Sequence, residues 1–188
     1  MPNNSLNIGL VSFAWGPSDK GGLMTHVRGI AESLIGLGHH VCIHCADTSG
    51  KNNTFETKSW NEGEIHIQEM NYRYEDVKSL IDFQYVPQAE VILKDWAIRN
   101  KLDLIDFHHN LFFGIHAIKT LSKICPVVAT IHDYWPVDPR GQLFSSNGNI
   151  IESTDHELWT ESVLFTWPHQ TNQSLESLKY FSPNIEKN

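Results

Sequence analysis

The sequence predicts an α/β fold built on a doubly wound parallel sheet, and three observations carry that prediction. Short apolar runs bounded by polar or glycine-containing segments recur along the chain, as buried parallel strands do. Segments with apolar residues at three- and four-residue steps lie between them, as crossover helices do. The first strand, helix and second strand together take about 40 residues, the size of a right-handed βαβ unit in a Rossmann-like sheet.

Leu6 to Phe13, LNIGLVSF, is the first strand. Ala14 to Lys20 reads as a loop, with Gly16 and Pro17 as punctuation. Gly21-Gly22 opens a helix whose apolar stripe is Leu23, Val27, Ile30, Ala31 and Leu34. Gly38 is placed to stop it, because glycine accepts the left-handed position after a helix. Val41 to Ala46 is the second strand, and the polar stretch Asp47 to Gly63 reads as a surface loop. Glu64 to Met70 alternates Ile65 and Ile67 with His66 and Gln68, as a strand nearer a sheet edge does. Tyr72 to Tyr85 shows no clean period.

Pro87 to Lys101 reads as a helix with Val91, Leu93, Trp96 and Ala97 as its apolar residues. Leu102 to His108 is a third core strand, and Gly114 to Lys123 a short helix. Pro126 starts a fourth core strand, VVATI, at a position where proline is tolerated. His132 to Asn149 is a long loop rich in Pro, Gly, Ser and aromatic residues. Thr154-x-x-Glu157 is a capping box before Leu158, Trp159, Val163 and Leu164, and Pro168 ends that helix. A final short helix is read around Leu175, Leu178, Tyr180 and Phe181. The expected division is a Rossmann-like domain over 1–150 and a helical extension or tail over 151–188.

Composition narrows the function. The 188 residues fit one domain with an appended segment. The hydrophobic fraction of 40% is enough for a packed core and argues against general disorder. With 14 basic and 22 acidic residues the net charge is −8, which argues against a nucleic-acid binder or a polybasic membrane patch. No apolar run approaches the roughly 18–20 residues of a membrane span. A polar stretch from Met1 to Asn7 and an odd count of 3 cysteines lead to the expectation of a cytoplasmic protein without a signal peptide.

Ligands of doubly wound sheets bind outside the carboxyl ends of the strands. That points to Ala14–Thr25, the segment from Asp47, His108–Gly114 and His132–Gly148. Gly21 and Gly22 let a ligand approach a helix N-terminus, whose unpaired N–H groups favour a diphosphate; the same pair is also an ordinary loop-to-helix turn. His108-His109 and His132-Asp133 stand at strand ends and could line one cleft, or only satisfy local backbone groups. Trp15, Tyr134 and Trp135 are candidates for stacking on sugar faces. Arg140 is a candidate for a phosphate or carboxylate.

Cys42-Ile43-His44-Cys45 has C-x-x-C spacing but lies in a strand, where positions three apart face opposite sides. With only Cys125 left, a four-cysteine zinc site is excluded, and no metal ligand is assigned. The dinucleotide glycine pattern, the serine-hydrolase elbow and the P-loop are all absent.

The motifs taken together resemble the opening of family 4 glycosyltransferases with the GT-B fold. The first part is a strand, a loop, GG-x-x-x-H and a helix running into L-x-x-x-G-H-x-V, here Gly21, Gly22, His26, Leu34, Gly38, His39 and Val41. DLIDFHHN resembles the family's D-x-I-x-x-H strand end. PVVATIHDYWPVDPRGQLF resembles its P-x-V-x-T-x-H-D-x-W segment with P-R-G-Q after it. Order and approximate spacing match over residues 7 to about 144.

The resemblance implies a single N-terminal half of a GT-B fold. It implies that Gly21 and Gly22 approach the donor diphosphate and that His132 contacts the transferred sugar at the reaction centre. It implies an acceptor- or sugar-binding role for Trp15, His26, His108, Asp133, Tyr134, Trp135 and Arg140. Transfer in such a family is usually retaining, from a nucleotide-sugar substrate, without a metal or other cofactor. Implied partners are a saccharide or lipid-linked acceptor and a separate donor-binding glycosyltransferase chain. Asp138 stands where family members often have a cysteine. The E-x(7)-E of the family's second domain has no counterpart here; Glu56 and Glu64 share its spacing but fall in the wrong half.

Two functions from different classes follow. One is an enzyme half that transfers little sugar by itself. The other is a non-catalytic module that recognises a saccharide or a protein, with Trp159, Leu164, Phe165 and Trp167 as an interaction face. A nicotinamide-dependent oxidoreductase or a sugar epimerase on a similar sheet is a third reading, which retention of NAD would favour.

Overall fold

The computed structural model of the chain describes residues 5–16, 21–49, 51–72, 85–134, 144 and 148–150. Trp135, Asp138, Arg140, most of the Tyr72–Tyr85 segment and the expected extension from 151 to 188 lie outside the described residues. The elements in chain order are β1 (Asn7–Val11), α1 (Gly22–Gly36), β2 (His40–Asp47), β3 (Thr57–Glu62), β4 (Ile65–Asn71), α2 (Pro87–Arg99), β5 (Leu104–Phe107), α3 (His116–Leu121) and β6 (Val127–Ala129). The strands form one sheet in the order β3-β4-β2-β1-β5-β6. All neighbours pair in parallel except β3 and β4, which are antiparallel.

The expected α/β, doubly wound architecture is therefore present, with one correction at one edge. The polar stretch read as loop contains the edge strand β3, and β4, read as lying nearer an edge, is next to it, between β3 and β2. β3 reads TKSWNE and buries no residue fully, so it lacks the apolar signature of the core strands. Gly63 and Glu64 join it to β4, with Glu62 opposite Ile65. Gly63 has φ 60, at the first central position that a type II′ hairpin turn reserves for glycine.

β1 divides the core. Alternate strand residues face opposite sides of a sheet. Ile8 and Leu10 pack with Val27 and Ala31 of α1, while Val11 packs with Leu93, Trp96 and Phe113 on the other face. Gly9 lies between them: a Cβ there would stand 2.6 Å from Trp96 and 2.5 Å from Leu102, so the close approach of α2 requires glycine. The two cysteines of β2 follow the same alternation, Cys42 packing on the α2 side and Cys45 on the α1 side. Burial pushes the Cys42 thiol up to about 11.

Both long helices end in the same way. Gly38, with φ 88, donates its N–H to Ile35 O, and His39 donates to Leu34 O. That pair of bonds is a Schellman motif, with glycine at the left-handed position the sequence assigned to it. At the end of α2, Lys101 donates to Ile98 O and Leu102 to Ala97 O, and Lys101 takes φ 50. The two turns anchor the start of β1. Ser5 Oγ donates to Gly38 O at 2.7 Å and Leu6 N to His39 Nδ1 at 3.2 Å. On the other side Asn7 N donates to Asp103 Oδ2 at 2.8 Å and Asn7 Nδ2 to Lys101 O at 3.1 Å.

Candidate active site

The strand order places the switch point between β1 and β5: the chain leaves β1 towards β2 on one side and returns to β5 on the other. Ligands of such sheets bind in the crevice outside the carboxyl ends at that point. Three segments meet there: the first turns of α1, the residues after β5, and the residues after β6. Each brings a histidine.

His26 on α1 and His132 after β6 are exposed, and His108 after β5 is buried. The ring centroids are 5.6 Å apart for His26 and His108, 5.0 Å for His26 and His132, and 5.4 Å for His108 and His132. His108 Nε2 is buried, 3.3 Å from Asp106 Oδ2 but out of line for a hydrogen bond, and the proton is assigned to that nitrogen because the carboxylate favours it there. His108 Nδ1 is then the acceptor, and His132 Nε2–H donates to it at 3.1 Å. Thr130 Oγ1 donates to Asp106 Oδ1 at 2.9 Å from the neighbouring strand end. Burial pushes the Asp106 carboxyl up, but the contacts with His108 and Thr130 outweigh it, and the group lies below the usual carboxylate range. His132 is held below the ordinary imidazole value, first by desolvation and then by the neighbouring imidazoles His108, His26 and His109.

His109 continues the network. Its Nδ1 accepts from Leu111 N at 3.0 Å, which fixes the proton on Nε2, and Nε2–H donates to Asp133 Oδ2 at 2.9 Å. Burial holds His109 below the ordinary value even with Asp133 working the other way. Asp133 thus ties the β6 end to the β5 end. Between them lies a cavity of about 150 Å³, lined by Phe107, Ile115, Ile118 and Ile131 as well as His108 and His132. Tyr134 follows at the rim, 52% exposed.

Gly21 caps α1 with an extended backbone, φ 164, and a Cβ at either Gly21 or Gly22 would meet nothing within 4 Å among the described residues. Among the described residues neither backbone strain nor packing calls for glycine there, and the helix N-terminus lies one turn before His26. Among the described residues no side chain caps α1, and no acidic residue lies in its first turn.

Trp15 differs from its expected role. It is 2% exposed, its Nε1 donates to Glu62 Oε2 at 2.9 Å, and Arg28 lies 4.2 Å over its ring. Arg28 also bonds Glu62 Oε1 at 2.9 Å and Trp15 O at 2.6 Å, a set that pins the loop after β1 to β3 and α1. The ring has no face left for a sugar. Asp106 and Thr130 were not singled out from the sequence, whereas His109 was read beside His108 at the strand end. The spacing Asp106-x-His108 carried a signal, since residues two apart on a strand share a face. Thr130 carried none, because its reach to Asp106 depends on the register of β5 against β6.

Among the described residues no helix is long and apolar enough to cross a membrane. No curated protein matches the chain. Among solved structures, a sucrose-phosphate synthase from Thermosynechococcus elongatus is similar at 16% identity and a TM-score of 0.52, covering 86% of this chain and 45% of that one. The catalytic domain of starch synthase IV from Arabidopsis thaliana, bound to ADP and acarbose, has 13% identity and a TM-score of 0.45, with 70% of this chain and 34% of that one covered. An Escherichia coli trehalose-6-phosphate structure bound with UDP-2-fluoro glucose has 15% identity and a TM-score of 0.44, with 68% and 33% covered. The chain therefore spans a third to just under half of these proteins, and the first likeness shows the fold. The model of Glycosyltransferase Family 4 matches residues 20–167. That stretch takes in α1, the site and most of the chain, and the chain belongs to Glycosyltransferase Family 4.

Proposed function

We propose that the chain is the acceptor-side domain of a retaining glycosyltransferase that uses a nucleotide-sugar donor and works with a donor-binding domain elsewhere. One observation carries this reading: α1, β5 and β6 bring His26, His108 and His132 to one crevice at the switch point, beside the N-terminus of α1. The donor diphosphate takes the first N–H groups of the helix at Gly21 and Gly22, where a helix end favours an anion by about 0.3–1 kcal/mol. His132, held largely neutral near pH 7, positions the transferred sugar. The apolar cavity behind it receives the acceptor, and Asp133 fixes the loop through His109. Rate comes from positioning and from stabilising the leaving diphosphate. The donor half is sought elsewhere because the chain spans under half of the similar synthases.

The test is purification of the tagged chain from its source cells, then measurement of nucleoside diphosphate released from sugar nucleotides. Turnover is expected only with a co-purifying nucleotide-binding α/β domain, on the same or another polypeptide. It falls at least 100-fold in His132→Ala and about tenfold in Gly22→Ala, whose thermal midpoint stays at or above that of the parent. Full turnover by the isolated chain would refute the divided site. Saccharide binding without any transfer would favour the non-catalytic module.

A further inference from the structure

We propose that His26, His108 and His132 form a binding site for a divalent transition-metal ion of the zinc class. This rests on the same three histidines as the transferase reading, but its test reads metal binding and not transfer, so the two fail separately. One nitrogen from each ring lies within 4.8 Å of the others. Two nitrogens bound to one tetrahedral zinc, each at about 2.0–2.1 Å, are about 3.3 Å apart. His108 Nδ1 and His132 Nε2 are 3.1 Å apart, already close to that separation. His26 completes the set from an exposed position on α1, where its side chain has room to close the remaining distance.

The buried member of the trio has a carboxylate beside its second ring nitrogen, within 3.3 Å though not in hydrogen-bond alignment. A ligating histidine commonly gives its second ring nitrogen to a carboxylate, which fixes the tautomer and turns the other nitrogen's lone pair towards the ion. Asp106 Oδ2 stands 3.3 Å from His108 Nε2, and Asp106 is itself held by Thr130 Oγ1. His132 donates to His108 in the absence of an ion; on binding, its proton resides on Nδ1 and Nε2 becomes a donor of electrons, with no net proton released. Three imidazoles and one remaining position suit zinc, cobalt or nickel, and do not suit calcium or magnesium, which take oxygen ligands.

The probe is Co²⁺, whose visible absorption reports tetrahedral nitrogen coordination, titrated into the tag-free chain at pH 7.5 and then displaced by Zn²⁺. One ion per chain is expected. His26→Gln and His132→Gln change exposed side chains, and circular dichroism confirms that each folds. Each should weaken Co²⁺ binding at least tenfold. Asp106→Asn should weaken it by about 10–100-fold through His108. His40→Gln, at an exposed histidine in the first position of β2, should bind as the parent does. Absence of one-to-one binding by the parent overturns the proposal. So does parental affinity in either His26→Gln or His132→Gln, or an equal loss in His40→Gln.

Discussion

His44 is a buried histidine outside the site, and it makes the fold acid-sensitive. It lies in β2 with both ring nitrogens buried and without hydrogen-bond partners among the described residues, 5.3 Å from the Trp96 ring and 5.4 Å from Phe113. Burial, with a smaller contribution from the Arg99 charge, lowers it to about 3. The unfolded chain keeps the ordinary value near 6.5 and so binds more protons below it. Stability is full above pH 6.5 and falls by about 1.4 kcal/mol per unit as the pH drops towards the folded value. Urea unfolding of His44→Leu should therefore gain on the parent by about 2 kcal/mol between pH 7.5 and pH 5.0. A difference that does not change with pH would assign the acid sensitivity to another group. The apolar run VCIHCA marked β2 as a core strand, and such strands are buried on both faces. Loop aromatics were less legible: Trp15 looked like a stacking platform, yet the Arg28–Glu62 pair that covers it comes from distant elements.

At the level of elements, the two Schellman turns differ in one respect. Gly38 takes its left-handed backbone freely, whereas Lys101 takes φ 50 with a side chain, which is unfavourable for an L-residue. Lys101→Gly should stabilise the chain by about 0.5–1 kcal/mol, read as a higher thermal midpoint, because the side chain is exposed and its carbonyl contact with Asn7 is kept. A lower midpoint would mean that the added freedom of the unfolded chain outweighs the relief. The helices and parallel strands were legible because each carries its own period or apolar run. β3 was not. Its one large apolar residue, Trp60, packs against the α1-side core, and the rest of its strand character comes from pairing with β4; the one local signal was Gly63-Glu64 between two stretches of strand length.

On the scale of the whole molecule, the order of strands decided where to look, and residues remote in sequence then met as that order requires. The strand-end positions of His108 and His132 could be read from the sequence, but their 3.1 Å contact could not, because it needs β5 and β6 in register. His26 carried a motif, but only the docking of α1 across the switch point brings its ring to the other two. The first strand is the seam on which all of this hangs, and its two borders have different histories. Contacts on the α1–β2 side close chain segments 33 residues long, whereas those with Asp103 close segments of 96 residues. The longer closure costs about 1 kcal/mol more in chain entropy, so the two borders zip in sequence during refolding. Pulse-labelled hydrogen exchange should protect Ser12 N and His40 N, on the β2 border, before Asp103 N and His108 N, on the β5 border. Simultaneous protection would mean a single nucleus spanning both. With the earlier border formed first, the crevice and its three histidines are among the last features to assemble, and a folding intermediate would hold α1 in place with the site still unmade.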